Sequence, residues 1–222
     1  MLNIAVDGTS ASGKSSVCKA VASRLKIVHL NTGAMYRSYA LFAIRENINT
    51  KEDSCVDKLL KGANIQVKII DNKQYTFLNG EDVSNILQTN EISNVSSIIS
   101  QFKEIRKKVK AMQIDIAKKY NVLIEGRDIG TKILPRAKYK FFITASLEER
   151  ANRRFKQLKE SNNLTKTWQE IYDSLKERDY LDEHRKISPL CKAKDAILVD
   201  STNMSFDEVV NFICDIIEKG EN

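Results

Sequence analysis

Eight residues near the start of the chain carry the densest chemistry. Gly8-Thr9-Ser10-Ala11-Ser12-Gly13-Lys14-Ser15 fits G-x-x-x-x-G-K-[ST], the P-loop pattern. They follow the apolar run Leu2 to Val6 and precede a helical spacing of Val17, Ala20, Val21 and Leu25. A short buried strand feeding a glycine-bounded loop and then a helix N-terminus turns backbone N–H groups toward an anion. Gly8, Thr9, Ser10, Ala11, Ser12, Gly13, Lys14, Ser15 and Ser16 are therefore the candidate nucleotide cradle. Lys14 would reach the β and γ phosphates, and the Ser15 hydroxyl would ligate Mg²⁺.

A second cluster follows another apolar run. Val122-Leu123-Ile124 reads as a buried strand and leads into Glu125-Gly126-Arg127-Asp128-Ile129-Gly130-Thr131. Acid, glycine and arginine at the carboxyl end of a parallel strand stand where open α/β sheets bind ligands. Glu125 is there a candidate for the metal shell beside Ser15. Arginines recur at Arg37, Arg127, Arg150 to Arg154, and Arg178 to Arg185. Guanidinium forks clamp phosphates bidentately, so these groups, if they converge, suit phosphoryl transfer between two anions. Spacing alone leaves other readings open. Arg37 could be a solvated surface charge, and Arg178, Asp182 and Arg185, at i, i+4 and i+7, could form an exposed ladder on one helix face.

The elements that must position these groups alternate strand and helix. Ile27 to Leu30 reads as a second strand ending at Asn31-Thr32-Gly33, with a helix over 34–45 whose stripe is Met35, Tyr39 and Phe42. Thr50-Lys51-Glu52-Asp53 resembles a capping box opening a helix through Leu60. Ile65 to Ile69 alternates with period two, Asp71-Asn72-Lys73 is a turn, Tyr75 to Leu78 is a strand, and Asn79-Gly80 is a hairpin turn before Glu81 to Val83. Such a meander inside an α/β chain reads as an insertion standing off the parallel sheet. Helices are expected over 86–100 and, as a basic amphipathic element, over 102–120, with Ile105, Val109, Met112 and Ile116 inward. Phe141 to Thr144 and Ala196 to Val199 supply further strands, and capping boxes stand at Ser146, Thr167 and Ser205. The polar stretch 159–166 between two helices reads either as the link of a hinged flap over the phosphates or as that of an exposed hairpin. The helix begun at Thr167 is expected to run to Pro189.

Composition bounds the rest. The chain has 222 residues, 42% of them hydrophobic, which is room for one α/β domain with insertions. It offers no apolar stretch long enough to span a membrane, and the first strand starts at once after Met1, leaving no expected leader. Four scattered cysteines, 18, 55, 191 and 214, favour neither a zinc site nor a disulfide framework, and point to a reducing cytoplasm. A net charge of +7 admits nucleic acid but equally suits an enzyme with polyanionic substrates. A GTP switch needs a guanine-reading N-K-x-D. The only Asn-Lys pair, Asn72-Lys73, is followed by Gln74-Tyr75 inside the meander.

Taken together, Gly8 to Ser15, Asn31-Thr32-Gly33-Ala34-Met35-Tyr36-Arg37, Glu125 to Thr131, Glu149-Arg150-Ala151-Asn152-Arg153-Arg154, Glu177-Arg178-Asp179 through Asp182 to Arg185, and Ser188-Pro189-Leu190 through Asp195-Ala196 resemble the successive motifs of bacterial cytidylate kinases. The resemblance runs end to end in order and spacing and includes the β-rich insert. It implies a P-loop fold with a five-stranded parallel sheet flanked by helices, a small antiparallel insert and a helical lid. Residues 1–36, 100–148 and 188–222 would form the core. Residues 37–99 would form the monophosphate-binding region, with the insert at about 62–84, and 149–187 the lid.

The implied reaction is transfer of the ATP γ-phosphoryl group to CMP or dCMP, with Mg²⁺. By that resemblance Lys14, Arg127, Arg153 and Arg178 are the catalytic group. Thr32 lies near the acceptor, Arg37 and Arg127 clamp its phosphate, and Ser97, Arg106 and Asp128 contact cytosine. Arg178, Asp182 and Arg185 contact sugar, phosphate and base from the lid side. Two departures stand out: Glu125 replaces the family's usual Asp, and Leu181 stands where a charge is common. Partners would be small nucleotides, with no nucleic acid or membrane, and the enzyme a cytoplasmic monomer. The rivals are a kinase for UMP, AMP or a non-nucleotide acceptor, and a basic P-loop ATPase acting on nucleic acid.

Overall fold

The computed structural model describes residues 1–161 and 164–221; Asn162 and Asn163 of the expected polar link, and the last residue of the expected core, lie outside the described residues. Five strands, β1 (Asn3–Gly8), β2 (Val28–Asn31), β6 (Val122–Glu125), β7 (Tyr139–Thr144) and β8 (Ile197–Asp200), form a parallel sheet in the order β2-β6-β1-β7-β8. β3 (Ile65–Ile70), β4 (Lys73–Leu78) and β5 (Glu81–Asp82) form a separate antiparallel sheet. By internal packing the chain divides into two compact units, 27–122 and 2–26 with 123–222.

The unit that carries the P-loop is built on β1. Ile4, Ala5 and Val6 are buried, as a strand covered on both faces requires. β1 pairs with β7 from Ile4↔Tyr139 to Gly8↔Ile143, and β7 pairs with β8. Gly8 is there for space as much as for conformation: a Cβ at that position would sit 1.9 Å from the Ile143 carbonyl oxygen. α1 (Lys14–Arg24) starts directly after Gly13, whose φ of 80° turns the chain into the helix, and packs on α8 (Phe206–Glu221).

α6 (Leu147–Glu160) and α7 (Trp168–His184) close an apolar seam of Ala151, Leu158, Ile171 and Leu175, against which Ala11 of the P-loop packs. Ser146 caps α6, but Glu149 turns to Arg153 instead of completing a box. The expected box at Thr167 is complete, and at Ser205 the hydroxyl and the Glu208 carboxylate exchange bonds with each other's N–H.

The other unit contains α2 (Thr32–Arg45), α3 (Cys55–Gly62), the antiparallel sheet, α4 (Asn90–Ile99) and α5 (Lys103–Lys119). β3 and β4 pair from Ile65↔Leu78 to Ile70↔Lys73 through Asp71-Asn72. These residues and Asn79-Gly80 all take positive φ, the backbone of tight hairpin turns. α2 packs on α4, α3, α5 and β4.

Three boundaries differ from the sequence reading by more than two residues. α3 begins at Cys55, because Glu52 is engaged by Asn49 and Ser54 in the preceding turns, so Thr50 caps nothing. α4 begins at Asn90 rather than Ile86, where Thr89 takes the N-cap and accepts from the Ile92 N–H. α7 ends at His184, so Arg185 is not the third member of a helical face but an extended C-cap residue. Its Nε donates to the Ser188 carbonyl at 2.6 Å, and Ser188, with φ 50°, reverses the chain before Pro189.

Candidate active site

The P-loop is held from several sides by its own unit. The Ser12 hydroxyl donates to the Thr9 carbonyl, and the Thr9 and Thr144 hydroxyls lie 3.2 Å apart. Lys14 is 7% exposed, and burial first, then the charge of Arg127, lowers its ammonium pKa to about 8. The Ser15 hydroxyl donates to Glu125 Oε2 at 2.9 Å. Glu125, at the end of β6, is 3% exposed, so a hydroxyl and a buried carboxylate meet at the mouth of the phosphate loop. An all-oxygen pair of this kind fits a hard divalent cation.

Beyond Glu125 the backbone makes a π-turn over Ile129–Ile133, with the Asp128 carbonyl accepting from the Lys132 and Ile133 N–H groups. The turn leaves Arg127 and Asp128 between β6 and the π-turn. Arg127 Nε donates to Asp182 Oδ2 at 2.9 Å, and Arg185 approaches the other oxygen at 3.7 Å. Burial by itself would raise the Asp182 carboxyl; the charge and hydrogen bond of Arg127, with the charges of Arg178 and Arg185, outweigh it and hold the carboxyl below its usual range. Asp182 is buried, so the exposed ladder is not what forms. One carboxylate instead gathers three guanidinium groups from two distant segments of sequence.

Two further arginines serve the P-loop directly. Arg153 donates to Glu149, to the Ser201 hydroxyl and carbonyl, and at 3.4 Å to the Ser12 carbonyl. Arg150 donates to the Ala145 and Ser10 carbonyls and to Asp179, whose other oxygen accepts from the Ser10 N–H.

The remaining expected residues belong to the other unit. Thr32 opens α2 and is buried, while Arg37 is half-buried, with its guanidinium 3.7 Å from where a Gly33 Cβ would stand. Arg106 on α5 is buried, donates to the Ser100 carbonyl and lies 5.8 Å from the centre of the Tyr36 ring. Ser97 sits on α4, where its carbonyl accepts from the Ser100 hydroxyl.

Sequence reasoning gave no role to Asp7, Asp179 or Ser201, although Asp179 stands in one of the quoted motifs. Asp7 and Asp179 had a weak signal, an acid directly before Gly8 and one directly after Arg178. Ser201 had none, because its role is to accept from Arg153 across 48 residues of sequence.

Residues 4–219 match the family described as Cytidylate kinase. The chain belongs to that family. Curated relatives named cytidylate kinase include one from Caldicellulosiruptor bescii, 40% identical over 218 residues, which cover 98% of this chain and 96% of that one. Another, from Clostridium botulinum strain Okra, is 41% identical, with 98% of each chain covered. Among solved structures, an uncharacterized protein from Eubacterium ventriosum superposes with a TM-score of 0.53 at 13% identity, covering 98% of each chain, a likeness of fold. Among the described residues no helix is long and apolar enough to cross a membrane.

Proposed function

We propose that this member of the cytidylate kinase family transfers the γ-phosphoryl group of ATP to the phosphate of CMP or dCMP, giving ADP and CDP or dCDP. The observation that carries the reading is that Asp182 accepts from Arg127 and stands 3.7 Å from Arg185, with Arg178 one turn earlier on the same helix, in the unit that holds the P-loop. Cations held ready by a carboxylate are arranged to receive a second anion, and charge compensation of this kind is most of what phosphoryl transfer asks of a protein.

The roles are those that the family resemblance implies, and the chemistry agrees with them. The P-loop amides and Lys14 hold the donor phosphates. Ser15 and Glu125 would hold Mg²⁺, which neutralises charge on the β and γ oxygens when bound. By that resemblance Arg37 and Arg127 would clamp the acceptor phosphate with Thr32 as the hydroxyl near it, and Arg153 and Arg178 would compensate charge on the transferring group. Asp182 Oδ2 is engaged by Arg127, which leaves Oδ1, together with Arg185, for the sugar and phosphate of the acceptor. The resemblance gives the reading of cytosine to Asp128 with Arg106 and Ser97, and this suits a base that carries an exocyclic amino donor beside ring acceptors, whereas uracil would set a carbonyl against the carboxylate. Residues 37–99 act as the monophosphate-binding region and 149–187 as the lid, and the enzyme works as a cytoplasmic monomer on free nucleotides. No covalent intermediate is needed, since alignment and water exclusion suffice.

The test is ADP release measured across a panel of acceptors. CMP and dCMP should be consumed well above UMP, AMP and non-nucleotide acceptors, and a preference for any of the latter overturns the reading. Asp128→Ala should narrow the gap between CMP and UMP by about 1–3 kcal/mol, the usual cost of an unmatched polar group.

A further inference from the structure

Asp7 is the last residue before Gly8, and the chemistry above does not use it. Its carboxylate is 3% exposed and accepts two backbone N–H groups, Ile129 to Oδ1 and Gly130 to Oδ2, each at 2.8 Å. A buried acid at the mouth of a phosphate loop invites the role of general base. The geometry assigns it another: each oxygen is taken by a backbone donor, and a Cβ at Gly130 would already stand 3.4 Å from Oδ2.

Those donors belong to the residues directly after Arg127 and Asp128. On the near side of the pair, the Gly126 N–H donates to the Val6 carbonyl at 2.9 Å. Two consecutive residues of β1, Val6 by its carbonyl and Asp7 by its side chain, thus hold the backbone on either side of Arg127-Asp128. Residue eight of the same strand begins the phosphate loop. The far anchor is the stronger constraint, because a carboxylate accepting two N–H groups fixes direction as well as distance, and bonds to an ionised acceptor are shorter and stronger than neutral ones. Past it the π-turn closes on itself through Asp128 and through the Leu134 N–H to the Ile129 carbonyl.

We infer that Asp7 is a positioning residue for the transfer: by holding the Ile129 and Gly130 amides it sets where Arg127 and Asp128 stand relative to the phosphate loop. This rests on the acceptor roles proposed for those two residues. Reaction in line between two bound anions is sensitive to spacing, and a displacement of about 1 Å can cost on the order of a hundredfold in rate.

Asp7→Asn is the informative change. The amide has the same shape but one oxygen, so its NH₂ must face one of the two N–H groups. The expected result is at least a tenfold loss of kcat/KM for CMP, with KM for ATP within twofold of the parent and a narrowed CMP to UMP preference. A uniform loss that raises both Michaelis constants alike, or kcat/KM for CMP within twofold of the parent, overturns the inference. Amide hydrogen exchange of the unsubstituted protein provides a reading that does not depend on the variant's folding. The Ile129 and Gly130 N–H groups should be protected without nucleotide, and fast exchange there overturns the strut. If the parent enzyme does not consume CMP at all, the proposed function fails, while the exchange measurement still judges the strut.

Discussion

Arg150 and Asp179 form an ion pair of 2.5 Å, and between them they take both polar ends of Ser10: the guanidinium donates to its carbonyl and the carboxylate accepts from its N–H. Both side chains are largely buried. The pair ties α7 to the phosphate loop through a residue at the loop's shoulder.

Removing one partner of a buried pair leaves the other charge uncompensated, which typically costs 3–5 kcal/mol. Asp179→Ala is therefore expected to lower stability by about that amount, and the Arg150→Ala, Asp179→Ala double variant to lose less than the sum of the two single changes. Urea unfolding of the four proteins measures the coupling. Strict additivity would mean that the two groups hold the loop independently.

Arg127→Ala bears on the transfer itself. Its guanidinium leaves Asp182 still flanked by Arg178 and Arg185, so the carboxylate is not stranded and the fold should survive. Loss of one preorganised charge donor usually reduces turnover by roughly 10²–10³-fold. Steady-state kinetics, with circular dichroism as a check on folding, decide the matter; near-normal kcat would take Arg127 out of the clamp.

Glu125→Gln isolates the metal. The amide remains a partner for the Ser15 hydroxyl but no longer carries charge, so the loop should keep its shape while cation affinity falls. The magnesium concentration for half-maximal rate should rise about tenfold or more, with little change in melting temperature. An unchanged magnesium curve would place the cation elsewhere.

How much of this could be read beforehand depends on how local the cause is. The phosphate loop, the two turns at Asp71-Asn72 and Asn79-Gly80 and the Thr167 cap are set by neighbouring residues, and each forms where the sequence puts it. The end of α7 was not legible, because helical spacing continues through Arg185 while the reversal is made by Ser188 in a left-handed conformation. Asp128 was recognisable as an acid at a strand end. The device that holds it was not, since Asp7 binds backbone N–H groups 122 and 123 residues away, which have no side-chain signature. Resemblance supplied the cytosine-contact roles of Ser97 and Arg106; their spacing alone marks only ordinary helices.

The pH dependence of stability offers a separate view of Asp7. Burial raises its carboxyl from 3.8 to about 6; the charge of Asp128 adds to this, and the two N–H bonds and Lys14 oppose it. Folded protein therefore binds this proton more tightly than unfolded chain does. The contribution is fully present below about pH 4 and is lost as pH rises through about 6, a change of about 3 kcal/mol at roughly 1.4 kcal/mol per pKa unit. Asp7→Asn has no such proton to bind. The stability of the parent minus that of Asp7→Asn, taken from urea unfolding at fixed ionic strength, should fall between pH 4 and 6 and level off above. A difference that rises across this interval would mean that the two amides, rather than burial, dominate the carboxylate's energy.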